Sequence, residues 1–215
     1  MLLSTHTAPP FQKNAYLVGC ETTRDAVVID PGDEVEQLVE AVRASSLRVR
    51  YVLLTHAHLD HITGVARATE AFDAPVVLHQ ADLPLYRAVV QQGLMFGLKV
   101  EAQPPVDRFY SPGECLAFGL YEARVHHTPG HSPGGVCLQV GPAGTPGPDL
   151  FLGDTLFAGS IGRTDLPGGD YPTLIQSIRT VLFGLGDDAR VYPGHGEPTT
   201  IGRERRTNPF LQSVE

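Results

Sequence analysis

Residues 50–64, RYVLLTHAHLDHITG, set an apolar run against four ionisable side chains. Tyr51 to Leu54 read as a buried strand, and the run stops where His56, His58, Asp60 and His61 begin. A solvated loop has no need of three imidazoles and a carboxylate within six positions. Given this chain's own residue frequencies, an H-x-H-x-D-H spacing arises by chance in on the order of one such chain in a thousand. The cluster therefore reads as metal-ligating. Nitrogen and oxygen donors without a thiolate suit zinc, iron or manganese.

Outward from this stretch the chain alternates strand-like and helical segments. AYLVGC and AVVID read as a hairpin closed by ETTRD. PGDEVEQLVEAVRASS reads as a helix, because Val35, Leu38, Val39 and Val42 fall on one face, and Asp33 with Glu36 resembles a capping box at its start. A short helix is expected at GVARATEAF, a strand at APVVLH and a helix over QADLPLYRAVVQQG. Short strands fill 106–127, followed by GVCLQV and DLFLG around a Pro/Gly-rich loop. DYPTLIQSIRTVLFG is helical in pattern, and ARVYPGHG is a last strand and turn. Hairpins mixed with βα crossings point to sheets covered by helices, a layered α/β architecture in one domain over 1–215.

Four places repeat one design: VLLTHAHLDH, VHHTPGHSPGG, LFLGDTLF and RVYPGHGEP each end a strand-like run with a turn and a metal-competent side chain. Function commonly sits on such strand-end loops, and Gly130, Gly153, Gly194 and Gly196 allow sharp turns there. The candidate ligands are His56, His58, Asp60, His61, His131, Asp154 and His195. These are too many for one tetrahedral ion with an open position, and they suit two ions sharing a carboxylate. His126 and His127 are expected to serve in a strand and to orient ligands from behind rather than to ligate, whereas His6 and His79 read as ordinary. Two divalent cations against two carboxylates and a bridging hydroxide leave about one positive charge. Such a centre activates water and stabilises an oxyanion, which is hydrolytic chemistry at a carbonyl or phosphoryl group. Ser132 and Cys137 are then not nucleophiles, because the hydroxide attacks.

The 16 Lys and Arg against 24 Asp and Glu give a net charge of −8. An acidic chain without a basic run argues against nucleic acid as a partner, and no segment approaches the length of a membrane span. The first residues lack the basic start and apolar core of a signal peptide. Cys20, Cys115 and Cys137 show no paired spacing and read as reduced thiols. The expected partner is a small-molecule substrate, and the expected location cytoplasmic.

These residues resemble the metallo-β-lactamase-fold hydrolases, from IDPGD to the final NPFLQ. The resemblance implies a four-layer αββα sandwich with a binuclear centre along one edge. It implies that His56, His58 and His131 hold one ion, that Asp60, His61 and His195 hold the other, and that Asp154 bridges them. Asp60 and Asp154 are then the carboxylates of the catalytic centre. Zinc is the expected metal, with iron or manganese as alternatives. Asp30 in VVIDPG matches a position usually near the site, and a turn-forming role is its alternative. Asp154 stands where many true β-lactamases have a cysteine. GDTLFAGSIGRTDLPGGD and PGHGEPTTIGRERRTNPFLQ are similar to the short bacterial glyoxalase II group, hydrolases of S-2-hydroxyacylglutathione thioesters. Only 196–215 follow His195, so the helical region with which longer glyoxalase II enzymes grip glutathione is not expected. GRTD is also similar to the persulfide dioxygenases of this fold, which imply one iron on His56, His131 and Asp154. A metal-dependent binding module without turnover is a third reading. Arg163 is a candidate for a substrate carboxylate, and a pair with Asp165 is the alternative.

Overall fold

Strand direction and crossover helices divide the chain between two sheets. The computed structural model describes residues 1–212. Its first sheet runs in the order β1 (Leu2–Ala8), β2 (Lys13–Gly19), β3 (Asp25–Ile29), β4 (Arg48–Leu53), β5 (Val76–Leu78) and β6 (Arg108–Phe109). β1, β2 and β3 pair antiparallel, and β3 to β6 pair parallel. The parallel pairs require crossovers. α1 (Val35–Ala44) supplies the first, α2 (Leu59–Ile62) with α3 (Val65–Phe72) the second, and α4 (Leu83–Arg87) with α5 (Val89–Met95) the third. The second sheet contains β7 (Cys115–Phe118), β8 (Tyr121–His127), β9 (Val136–Pro142) and β10 (Asp149–Gly153) as an antiparallel meander. A ribbon of β11 (Leu156–Phe157) and β12 (Ser160–Ile161) follows, then α6 (Tyr171–Thr180). The chain returns through β13 (Arg190–Pro193), parallel to β10, and closes the sheet with β14 (Thr199–Thr200) before α7 (Ile201–Thr207).

Side-chain alternation along the strands builds three apolar layers, because successive residues face opposite sides of a sheet. On β3, Ala26 and Val28 join Leu38, Val42, Ile62 and Val65 beneath the helices. Val27 and Ile29 point the other way and meet Phe118, Leu138, Val140 and Phe151 between the sheets. On β10, Leu150 and Leu152 pack with Leu174, Ile178 and Ile201 under α6 and α7. Helix, sheet, sheet and helix are therefore the four layers of an αββα sandwich, as the resemblance implied. Among the described residues, no helix is long and apolar enough to cross a membrane.

Two local expectations need correction, and one strand was not foreseen. The capping box does not form: the Asp33 carboxylate accepts from Thr63 Oγ1 at 2.9 Å, and Glu36 takes the Arg67 guanidinium at 2.6 Å. The segment from 80 to 95 is a 3-10 turn at Gln80–Asp82 followed by the short helices α4 and α5, not one continuous helix. β1, unforeseen in the sequence, is an edge strand whose side chains alternate between exposed and half-buried, a pattern with little apolar signal.

Lys13 was also not anticipated. It opens β2 with its side chain 2% exposed, and its ammonium meets Glu34 Oε1 at 2.5 Å and donates to the Asp30 carbonyl. Glu34 Oε1 also accepts from Gly32 N at 2.8 Å. The pair thus fixes the Asp30–Glu34 turn at the end of β3. Removing one member strands a buried charge, so Lys13→Met should lower the unfolding free energy by about 3–5 kcal/mol. Urea titration reads this directly, and a loss below about 1 kcal/mol, the range of a surface pair, would show that the turn holds itself.

Candidate metal centre

The ends of β4, β10 and β13 converge where the two sheets touch. Asn14 N donates to the Gly194 carbonyl at 2.7 Å, Gly194 N to Gly153 O at 2.7 Å, and Val136 N to Thr55 O at 2.8 Å. Tyr16 OH, from the first sheet, donates to Pro193 O of the second at 2.6 Å. Around this seam the turn after β4 delivers His56 and His58, α2 delivers Asp60 and His61, and the β8–β9 loop delivers His131. The ends of β10 and β13 deliver Asp154 and His195. Two glycines are needed there. Gly153 turns at φ +49°, and a side chain on Gly194 would meet Asp154 Oδ1 at 2.1 Å.

The seven ligand candidates are brought together. His131 Nε2 lies 2.8 Å from His58 Nδ1 and 3.2 Å from His56 Nε2, with all three imidazoles buried. In the second set, His195 Nε2 is 3.0 Å and His61 Nε2 3.6 Å from Asp60 Oδ2. Asp154 stands between the sets: Oδ1 is 3.3 Å from His61, and Oδ2 is 3.5 Å from His195 and 3.6 Å from His131.

Protons alone satisfy this arrangement poorly. Three nitrogens facing one point cannot all pair with one another. Among the described residues, His61 Nε2 and Asp154 Oδ1 are buried without a hydrogen-bond partner. Nitrogens bound at 2.0–2.1 Å around a tetrahedral ion stand about 3.3 Å apart, close to the separations of the first set. His56, His58 and His131 could hold one ion and Asp60, His61 and His195 another, so the donors fit the divalent metals expected of them.

The two sets differ electrostatically. Burial, with His131 next to it, pushes His58 down to about 3, and burial with the surrounding histidines takes His56 well below its ordinary value. Both are neutral, ready ligands. Burial also acts against a charge on His61, but Asp60, Asp154 and Asp30 outweigh it and raise that imidazole to about 10. Burial opposes a charge on His195 as well, and hydrogen bonding to Asp60 with the nearby Asp154 lifts it. Asp154 is held low against its burial by His61, His131 and His195.

Behind the candidate ligands stand groups that fix their orientation. The Asp30 backbone sits in the left-handed region at φ 52°. Its carboxylate accepts from Thr55 N at 2.7 Å and Thr55 Oγ1 at 2.5 Å, and faces His61 Nδ1 at 3.0 Å. His131 Nδ1 donates to the Arg163 carbonyl at 2.7 Å, which turns Nε2 inward. The Arg163 guanidinium meanwhile pairs with Asp165 through two contacts of 2.7 Å. Asp82, missed in the sequence, is fully buried. It accepts from Ala57 N at 3.0 Å, Ser132 Oγ at 2.8 Å and Gly134 N at 2.5 Å, joining the His56–His58 turn to the His131 loop. Its place before Leu83–Pro84 reads as a helix cap, a role its side chain does not play. His126 and His127 end β8: His126 bonds Gln139, and His127 stacks on His79 and donates to the Pro133 carbonyl at 2.9 Å in the loop that carries His131. The Ser132 hydroxyl is committed to Asp82, and Cys137 is sealed in the core with its thiol pushed up by burial.

A profile of the Metallo-beta-lactamase superfamily matches residues 8–195. Hydroxyacylglutathione hydrolase GloC of Haemophilus influenzae is 40% identical over 205 residues, covering 94% of each chain. Three solved structures superpose on nearly the whole molecule. TTHA1623 in a di-iron-bound form is 45% identical with TM-score 0.85, over 97% of this chain and 100% of that one. BLEG-1 B3 metallo-beta-lactamase is 36% identical with TM-score 0.89, over 99% and 100%. ETHE1 from Myxococcus xanthus is 29% identical with TM-score 0.79, over 97% and 84%. With BLEG-1 so similar, the departure from β-lactamases drawn from Asp154 rests on that one residue and not on the fold.

Two outcomes follow from this geometry. Asp82→Ala frees both ligand-bearing loops and should weaken metal affinity by about 10–100-fold, the usual effect of losing an orienting partner. Competition against a chelator measures it, and an unchanged affinity would show that the loops keep their shape unaided. A metal entering the second set must displace the His61 proton, which is held up to about 10. Its affinity should therefore rise by at least about ten-fold per pH unit from pH 7 towards pH 9, more steeply where His195, also raised, must lose its proton too. Binding titrations at each pH, with proton release followed in weak buffer, should give this slope; a flat profile would show that His61 is already neutral.

Proposed function

The chain belongs to the Metallo-beta-lactamase superfamily, and from that membership we propose a metallohydrolase that cleaves thioesters such as S-2-hydroxyacylglutathiones at a centre of two divalent ions. The observation that carries this reading is the complete second set, Asp60, His61 and His195, arranged around Asp154. In this proposal His56, His58 and His131 would hold the first ion and Asp60, His61 and His195 the other, with Asp154 placed between the two sets. Zinc suits these donors, and so do iron and manganese. When bound, such ions supply a water acidified towards neutrality and a Lewis acid for the carbonyl.

The remaining chemistry belongs to the chain. His195, Asp60 and Asp154 are the members of the second set and bridge that solvent reaches, with side chains 30%, 15% and 12% exposed, whereas His61 is sealed. A substrate therefore approaches from their side. Ser132 is committed to Asp82 and Cys137 is inaccessible, which leaves water as the attacking group. With the histidines acting as ligands, the cleft offers no side chain as a proton donor. A thioester needs none, because a thiol with a pKa of about 8.5 leaves readily as its anion. GloC, matched over 94% of its own length, carries a hydroxyacylglutathione hydrolase name, which supports that substrate.

The likeness to ETHE1 favours a second reading, a persulfide dioxygenase with one iron on His56, His131 and Asp154. It would leave Asp60, His61 and His195 without a cation. Protein purified without chelator should hold close to two metals per chain and should cleave S-lactoylglutathione equally well without oxygen. Asp154→Ala should lower both metal content and kcat, the latter by a hundredfold or more on the order expected for a group acting in the transition state. Oxygen uptake with glutathione persulfide, or β-lactam opening, in the absence of thioester cleavage would overturn the assignment.

A further inference from the structure

Beside the candidate centre, α5 ends in three consecutive apolar side chains that face water: Leu94 is 72%, Met95 65% and Phe96 46% exposed. A run of this kind on a soluble surface calls for an occupant. Of these, Met95 and Phe96 line two cavities of about 200 and 220 Å³, which share His58, Gln92, Phe96 and Leu166 and so form one cleft leading away from the ligands. Phe11, from the turn before β2, closes one side by meeting Phe96 edge-on at 5.8 Å. Leu85, Met95 and Pro167 continue the wall outward.

The polar groups nearest the candidate ligands are already engaged, and Gln91 in the outer cavity is an exposed, uncharged amide. Gln92 Oε1 accepts from Leu59 N at 3.0 Å, and its Nε2 donates to Ala57 O at 3.0 Å and Leu85 O at 2.9 Å. Arg163 is the one cation among the lining residues outside the candidate ligands, and Asp165 holds it. Moving that guanidinium to a substrate carboxylate exchanges one exposed pair for another, with little gain. The walls therefore reward apolar surface and offer nothing new to a charge.

We infer that the cleft along α5 selects an uncharged, apolar acyl chain, so that the substrate class is aliphatic acyl thioesters. This rests on the thioesterase reading above. In the reaction one water is consumed: its oxygen bonds to the carbonyl carbon, the carbon–sulfur bond breaks, and the products are the carboxylic acid and the thiol.

The test is a series of N-acetylcysteamine thioesters from acetyl to octanoyl, run beside S-lactoylglutathione on the metal-loaded protein. We expect kcat/KM to rise by about two- to four-fold per methylene until the cleft is filled, following the free energy of burying each CH₂. Met95→Glu places a carboxylate in the wall and should flatten that dependence, with metal content and thermal unfolding unchanged. Cleavage without chain-length dependence, or a preference for S-lactoylglutathione over every acyl chain, would overturn the apolar selection and leave the thioesterase reading standing. Cleavage of none of these compounds would overturn both.

Discussion

Five imidazoles and two carboxylates meet at the seam between the sheets, most of them cut off from water. Unpaired polar atoms in such a place are unfavourable, and only positive charge at the middle relieves them. That constraint organises the neighbourhood. Asp30 faces the outer nitrogen of His61, the Arg163 carbonyl takes the outer proton of His131, and Asp82 ties together the loops that carry the first set. The first two contacts aim an imidazole at the centre and the third holds the loops in place, and each belongs to a residue that is not itself a candidate ligand. Without a metal the load falls on protons, and His61 carries one among three carboxylates.

What the sequence disclosed depended on how local the signal was. The H-x-H-x-D-H stretch lies in one turn and one helix start, so spacing alone exposed it. His131, Asp154 and His195 are far apart in sequence, but each follows an apolar run that proved to be a strand or its closing loop. A layered α/β architecture was legible from hairpins mixed with βα crossings. The four-layer order came from the family resemblance, because β3 and β10 are continuous apolar runs that feed clusters on both of their sides. Lys13 and Asp82 were not legible. Their partners lie 21 and 50 residues away, at Glu34 and Ser132, and a buried ionic contact leaves no period in the chain. The Asp33–Glu36 box failed because Thr63 and Arg67 from the next crossover captured both side chains. Arg163 shows a further limit: its contact to the centre is made by a backbone carbonyl, which no residue type announces.

The two sheets also divide labour. Candidate ligands come from strand ends and from turns braced by the interlocked edges of both sheets, where position is set by hydrogen bonds such as those of Gly194 and Asn14. Precise placement is needed there, because ligand geometry tolerates only small displacements. The cleft walls come instead from inserted pieces: the turn carrying Phe11, the α4–α5 crossover, and the loop after β12 that bears Leu166 and Pro167. These segments can change side chains without moving a strand. An apolar wall next to the centre has a second effect, since excluding water strengthens every charge interaction within it. In the proposed reaction, selection and chemistry would be coupled through solvent: a chain that fills the cleft would also dry the seam at which its carbonyl reacts.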